Sequence, residues 1–560
     1  MKLIIREYLA SLRERDELDA ILPDLLSEMG FTIISKPARG TKQHGVDIAA
    51  VGYNEAGEKC VYLFSVKKGD LTRQDWNVGN QALRPSLDEI QDVYIPSSIP
   101  VEYVGLKIII CLCFGGYVKE TIRADVSGYQ KKRTTDDLSF EEWNGDKIAG
   151  LISEGILREE MLPKDLRSHF QKSVALVDEP DISYKHFSSL VTQLRQIGGE
   201  ESKRVRSARQ IYICVWILFV WARDAENVDS AYRACELAIL NVWELVKPLI
   251  ENGGSDNEEI TKVLFQLVQL YQVIGAELIG KRILPYSNKR HSLSVATHSH
   301  SRIDVNLKLF DMLGRLAMMG LIHHWLNEHL EINSPTHIQG LTSLVGSAFD
   351  IIENNPALYL PCHDAQATSI ALFLLLCLAS GAHQERCEKW LVQTSARLNY
   401  SVLTQVDYPT ISIEYEDLLI HPRRDEGYFK EATAGSTLIP LLACWLNALG
   451  HFDVVASMEK MVGEKLDHTT MQLWTADASS EVHMYVNSDE HGLGLCDLPI
   501  KPGTTLAAVI SELCGTDKGF ESLSANKTGF WPIILMACRH WELPVPPNFW
   551  LEFSLFTNKD

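Results

Sequence analysis

The sequence predicts an α/β amino-terminal domain with a mixed central sheet, then a mainly α-helical region, then a small α+β segment at the carboxyl end. Three observations predict this. Through residues 1–170, short β-branched and aromatic runs alternate with helical patterns. Beyond residue 185, helical periodicity dominates. From Met471 onward, strand-like stretches return at 471–474 and 482–485, punctuated by Gly492, Gly494 and Pro499, and residues 506–513 read as helix. At 560 residues the chain exceeds what one hydrophobic core supports. The expected division is 1–170, a linker at 171–185, a helical domain at 186–465 and the closing segment at 466–560.

Composition narrows the function classes. Hydrophobic residues make up 46% and charged residues 22%, ordinary values for a globular protein, and the formal net charge is −20. Residues 1–170 hold 22 Lys+Arg against 27 Asp+Glu, and the remainder 31 against 46. Such acidity excludes a wholly basic nucleic-acid binder, so DNA contact requires a local basic groove. Twelve cysteines are scattered without a C-x-x-C pair, several inside apolar runs. Buried free thiols in a reducing compartment are expected, rather than disulfides or zinc. The longest apolar run, residues 211–222, is 12 residues long. A bilayer span needs about 20, so no membrane contact and a cytoplasmic location are expected.

The elements follow in order. Leu18, Ile21, Leu22, Leu25, Leu26 and Met29 recur at helical spacing, Gly30 supplies a stop, and Pro23 falls inside the pattern. Residues 31–35 read as a strand. The loop 36–45 is rich in glycine and lysine. Residues 46–52 and 59–66 form a hairpin around the turn 54–57. A polar helical segment spans 72–91. Residues 106–114 are nearly continuously apolar and β-branched, as in a central strand. Helix returns at 118–129, a short strand at 138–140 and a closing helix at 144–153.

Four stretches carry the chemistry. Asp19 stands on the first helix, eleven residues before Gly30; Gly45-Val46-Asp47-Ile48 opens one hairpin strand; Ser65-Val66-Lys67 ends the other; and Phe140-Glu-Glu-Trp143-Asn-Gly-Asp-Lys-Ile-Ala149 joins the last strand to the last helix. An acid on one strand and a lysine on the next are the minimum for holding a divalent metal and handling a phosphate. In this order the residues resemble the restriction-endonuclease-like, or PD-(D/E)XK, superfamily. The resemblance is closest to the Mrr-like type IV enzymes and Holliday-junction resolvases, and covers about 155 residues.

The resemblance implies a metal-dependent endonuclease with Mg²⁺ or Mn²⁺ as cofactor, DNA as substrate and a role in bacterial anti-phage defence. It makes Asp47 the metal ligand, with the Val66 carbonyl beside it and Asp19 completing the shell through a water. Lys67 would orient or deprotonate the attacking water. Ser65 stands where the family places Glu, Asp or Gln. A hydroxyl is a weaker ligand for a hard cation. Three outcomes follow: fewer protein ligands and more water, substitution by Glu58 or Asp70, or binding without cutting. The last makes the chain a catalytically inactive nucleic-acid-binding or scaffold subunit. Lys68, Arg39, Lys42 and Gln81 are the candidate nucleic-acid contacts, and Lys131-Lys132-Arg133 is a further basic run.

In the helical region, residues 373–384 and 440–451 look alike. Each is an apolar helix ending at a glycine turn, with an amphipathic helix after it, in the manner of a degenerate helical repeat. This acidic region suits a protein partner or homo-oligomer contact better than DNA wrapping.

Overall fold

The computed structural model describes residues 5–6, 9, 18–35, 44–54, 56–78, 82–154, 164–199, 203–252, 256–297, 299, 301–329, 335–423, 426–487, 492–505, 508–509 and 519–552. The chain divides into two compact units, residues 1–231 and 232–560.

The first unit is built on a five-stranded sheet whose spatial order follows the sequence. Helix α1 (Asp19–Glu28) contains Pro23 and leads through Gly30, at φ +84°, into β1 (Thr32–Ser35). β1 pairs antiparallel with β2 (Ile48–Tyr53), and β2 pairs antiparallel with β3 (Lys59–Lys67). β4 (Lys107–Phe114) runs parallel to β3, and β5 (Leu138–Trp143) parallel to β4. The mixed sheet expected from the pattern is therefore present. β3 is the central strand; β4, expected as central, is an interior strand between β3 and β5, and its Ile-Ile-Ile-Cys-Leu-Cys run is largely buried. β5 extends three residues beyond the expected strand, since Glu141, Glu142 and Trp143 continue the ladder with Cys111, Leu112 and Cys113.

Between β3 and β4 the expected single helix is broken. α2 (Arg73–Asn77) is started by a capping box between Thr72 and Asp75, and it stops at the extended Val78. α3 (Leu83–Glu89) then passes into wider helical turns through Tyr94. One sheet face packs Val61 and Leu63 against Trp76, Leu83, Leu87 and Ile122. The residues alternating with them form an aromatic row, Phe31–Tyr62–Phe64–Trp143, at centroid separations of 4.9–6.4 Å. α4 (Glu120–Arg133) links β4 to β5, and α5 (Gly145–Glu154) follows β5.

Residues 171–185, expected as a linker, are the end of one helix, a turn at 176–179 and the start of the next. α6 (Lys164–Ala175) packs on α7 (Pro180–Ile197), and the buried Ser183 hydroxyl donates to the Ser173 carbonyl at 2.7 Å. α8 (Arg204–Asp224) is apolar enough and long enough to cross a membrane, as is the segment 258–286, but 78% of the apolar window of α8 is buried inside the protein.

The second unit is mainly helical. Its helices include α9 (Asp229–Asn252), α10 (Asp256–Gly275), α11 (Arg302–His329), α12 (Pro335–Asn354), α13 (Gln366–Ser380) and α14 (Gln384–Thr404). They are joined by α15 (Leu438–Ala448), α16 (Phe452–Lys465) and α17 (Pro532–Trp541). The two look-alike stretches are the hairpins α13/α14 and α15/α16, with left-handed Gly381 and Gly450 in their turns. Their amphipathic helices meet where the Asn399 amide donates to the Ser457 hydroxyl at 3.1 Å. Residues 466–560 lie within this unit. Thr470–Met471 pairs with Gly435–Ser436, and Leu473–Thr475 with Leu493–Leu495. Val482–Tyr485, expected as a strand, is a tight helical turn, because Asp477 gathers the N–H groups and hydroxyls of Ser479 and Ser480 and bends the chain. The helix expected at 506–513 lies outside the described residues, apart from 508–509.

Candidate active site

The candidate site is assembled where the chain enters β2 and leaves β3. Gly45 sits at φ +80°, and a Cβ there would lie 2.3 Å from the Ser86 carbonyl oxygen of α3. Only glycine satisfies both the left-handed turn and that close approach. His44, just before it, is also left-handed at φ 48°, and its buried Nδ1 has no hydrogen-bond partner. The turn delivers Asp47 to the end of the β2–β3 ladder, where its N–H donates to the Phe64 carbonyl at 2.9 Å.

The Asp47 carboxylate then reaches across to β3. Its Oδ2 accepts the Val66 N–H at 2.7 Å. The N–H and C=O of one strand residue point to the same edge, so the Val66 carbonyl faces the side that Asp47 occupies. Ser65 and Lys67 flank Val66 and, by strand alternation, share the face of Val61 and Leu63. Both are buried, Ser65 at 1% and Lys67 at 8% exposure, whereas Lys68 is exposed. Cys113 is the β4 partner of Val66. Burial, and then the Asp47 charge, hold its thiol far above its ordinary range.

The two acids considered as replacements for the family's carboxylate at position 65 are engaged elsewhere. Glu58 lies in the β2–β3 turn, bonded to the Asn54 amide at 2.9 Å. Seven residues of extended strand, roughly 23 Å, separate it from Ser65. Asp70 follows β3 but closes a clasp with the β4–α4 connection. Its Oδ2 pairs with Lys119 at 2.5 Å, and its Oδ1 accepts the Tyr117 N–H at 2.9 Å. These bonds, Lys119 first, lower its carboxyl below the ordinary value. Gly116 is required there, because a Cβ would fall 2.2 Å from Asp70 Oδ1.

No protein-family model, curated protein or solved structure matches the chain.

The donors present fit Mg²⁺ in its sparsest protein shell. Mg²⁺ often binds through one or two carboxylates and keeps several waters, and here the Asp47 carboxylate lies on the edge of β3 toward which the Val66 carbonyl points. Among the described residues, no three His, Cys, Asp or Glu side chains gather at a point. Arg39, Lys42 and Gln81 lie outside the described residues, as does the side chain of Asp19. In the Lys131-Lys132-Arg133 run, Arg133 pairs with Asp88 at 3.2 Å and lies over the Tyr129 ring.

Ser86, Cys113 and the Asp70–Lys119 clasp were not singled out from sequence. The clasp left one signal, Gly115-Gly116 directly after β4. The other two are long-range neighbours with no local mark.

Proposed function

We propose that residues 1–170 form a restriction-endonuclease-like domain, and that the chain is a metal-dependent endonuclease acting on DNA in cytoplasmic anti-phage defence. The helical second unit would sense a trigger, regulate cutting or oligomerise. The observation that carries this reading is the Asp47–Val66 bond, which fixes the acid of one hairpin strand against the residue between Ser65 and Lys67. The order of the sheet supports it as well, an antiparallel β1–β2–β3 meander extended by parallel β4 and β5.

In this reading Asp47 and the Val66 carbonyl hold Mg²⁺ or Mn²⁺, with Asp19 adding a water-mediated contact. The ion, when bound, neutralises the scissile phosphate and acidifies a water. Lys67 presents its ammonium to the charge developing in the transition state and positions the attacking water. Its burial strengthens that interaction by excluding solvent. Lys68, Arg39, Lys42 and Gln81 contact the nucleic-acid backbone.

A second reading is favoured by Ser65. Neither Glu58 nor Asp70 supplies the missing carboxylate, so a domain that binds nucleic acid without cutting it, or a scaffold subunit, is the alternative. Ser65→Glu separates the two. If the site cuts with a sparse shell, the wild type nicks supercoiled plasmid with Mn²⁺ and Ser65→Glu changes the rate. If it only binds, the wild type shifts DNA in a gel, cuts nothing with any divalent ion, and the glutamate restores nicking.

A further inference from the structure

Among the described residues, 21 large hydrophobic side chains are exposed, and eight of them fall between residues 400 and 420. Single exposed apolar residues need no explanation, but a concentration of this kind marks an interaction surface. Tyr400 and Leu403 lie one turn apart at the end of α14, and Val406 follows directly. Ile411 and Ile413 flank Ser412, with Ile413 at 84% exposure. On the short helix Tyr415–Ile420, Tyr415 and Leu419 share a face, while Leu418 turns inward against Ile303 and Cys362.

Two contacts to the start of α11 bring these stretches into one surface. Asp407 pairs with Arg302 at 2.6 Å, and the Tyr415 hydroxyl donates to Asp304 at 2.7 Å. Gln405 and Asp407, neither a glycine, are held at φ 52° and 55° around Val406. Left-handed backbone at two non-glycine positions persists only where surrounding contacts impose it.

Charge decides the occupant. Residues 400–420 contain Asp407, Glu414, Glu416 and Asp417 and no lysine or arginine. Asp407 and Asp417 are matched by Arg302 and Arg423, and Glu414 and Glu416 stand exposed beside Ile413 and Tyr415. A second copy docking through the same face would set these acids against their own counterparts. An anionic bilayer meets the same repulsion. We propose that this face docks an amphipathic, lysine- or arginine-bearing segment of a partner protein.

The test uses the full chain and a fluorescent amphipathic Leu/Lys helical peptide, read by anisotropy at low and high salt. Ile413→Ser with Leu419→Ser is expected to weaken binding by about 10-fold or more. Glu414→Lys with Glu416→Lys is expected to weaken it similarly and to flatten its salt dependence. Glu120→Lys with Asp136→Lys, a charge control in the first unit, leaves binding unchanged. Circular dichroism and thermal unfolding verify that each variant folds. Equal binding by the Ile413/Leu419 variant, or equal loss in the control, overturns the proposal in favour of general attraction to an acidic protein. A wild-type dimer in light scattering that the Ile413/Leu419 variant dissolves overturns it in favour of self-association.

Discussion

At the scale of single residues, Gly45 and Asp70 set the geometry beside Asp47 and Lys67. Gly45→Ala adds both a strained φ and a clash with a backbone oxygen, which a flexible side chain cannot relieve. It should destabilise the first unit by about 2 kcal/mol or more, measured by urea unfolding. Asp70→Asn removes an ion pair and weakens a bond to the Tyr117 N–H, costing about 1 kcal/mol at neutral pH. Because the folded carboxyl is lowered, its contribution is full above the unfolded value and lost as pH falls through the folded value. The gap between wild type and Asp70→Asn should therefore close as pH drops below about 4. The strand positions of Asp47 and Lys67 were legible in sequence because alternation and a short motif mark both. Ser86 and Cys113 were not, because α3 and β4 reach the site from distant positions in the chain.

At the scale of elements, the sheet was legible almost strand by strand. The hairpin, the apolar β4 run and the helix returning before β5 each carry a local signal that the packed structure does not override. Two misreadings share one cause. Residues 171–185 carry Asp178, Glu179, Pro180 and Asp181, which suggest an open connection. Yet Ser173 and Ser183 bury their polar atoms against each other, and α6 and α7 close as a hairpin. Val482–Tyr485 alternates like a strand, but the Asp477 side chain bends the chain just before it. Both depend on side-chain to backbone bonds, which periodicity does not register. Limited trypsin digestion should accordingly spare Lys172 and Lys185, whereas an extended linker would be cut there early.

At the scale of the whole molecule, α17, late in the second unit, is tied to α9 through a buried charge network. Arg539 on α17 clasps Glu236 on α9 with two bonds, at 2.6 and 2.9 Å, and donates to Asp311 at 2.9 Å. Tyr271 donates to Glu236 at 3.0 Å and meets the Tyr232 hydroxyl, and His540 approaches the same carboxylate at 3.2 Å. Burial pushes the Glu236 carboxyl up, but Arg539 and His540 outweigh it and hold the group at about 2. Its contribution is thus full above the ordinary value of 4.5 and declines as pH falls toward about 2. Arg539→Leu leaves a buried carboxylate without its partner and should cost about 3–5 kcal/mol in the transition of this unit. Glu236→Gln with Arg539→Met should recover much of that, which urea unfolding of the full chain would reveal. The sequence offered no hint of this pairing across some 300 residues.

The nuclease reading rests on the Asp47 carboxylate and the Lys67 ammonium acting on one phosphate, so the most direct measurement is the nicking rate of supercoiled plasmid with Mn²⁺. Wild type is compared with Asp47→Ala and Lys67→Ala, each verified as folded. The account predicts metal-dependent nicking that falls by about 100-fold or more in both variants. Nicking that survives in either variant, or that proceeds without a divalent ion, would contradict it.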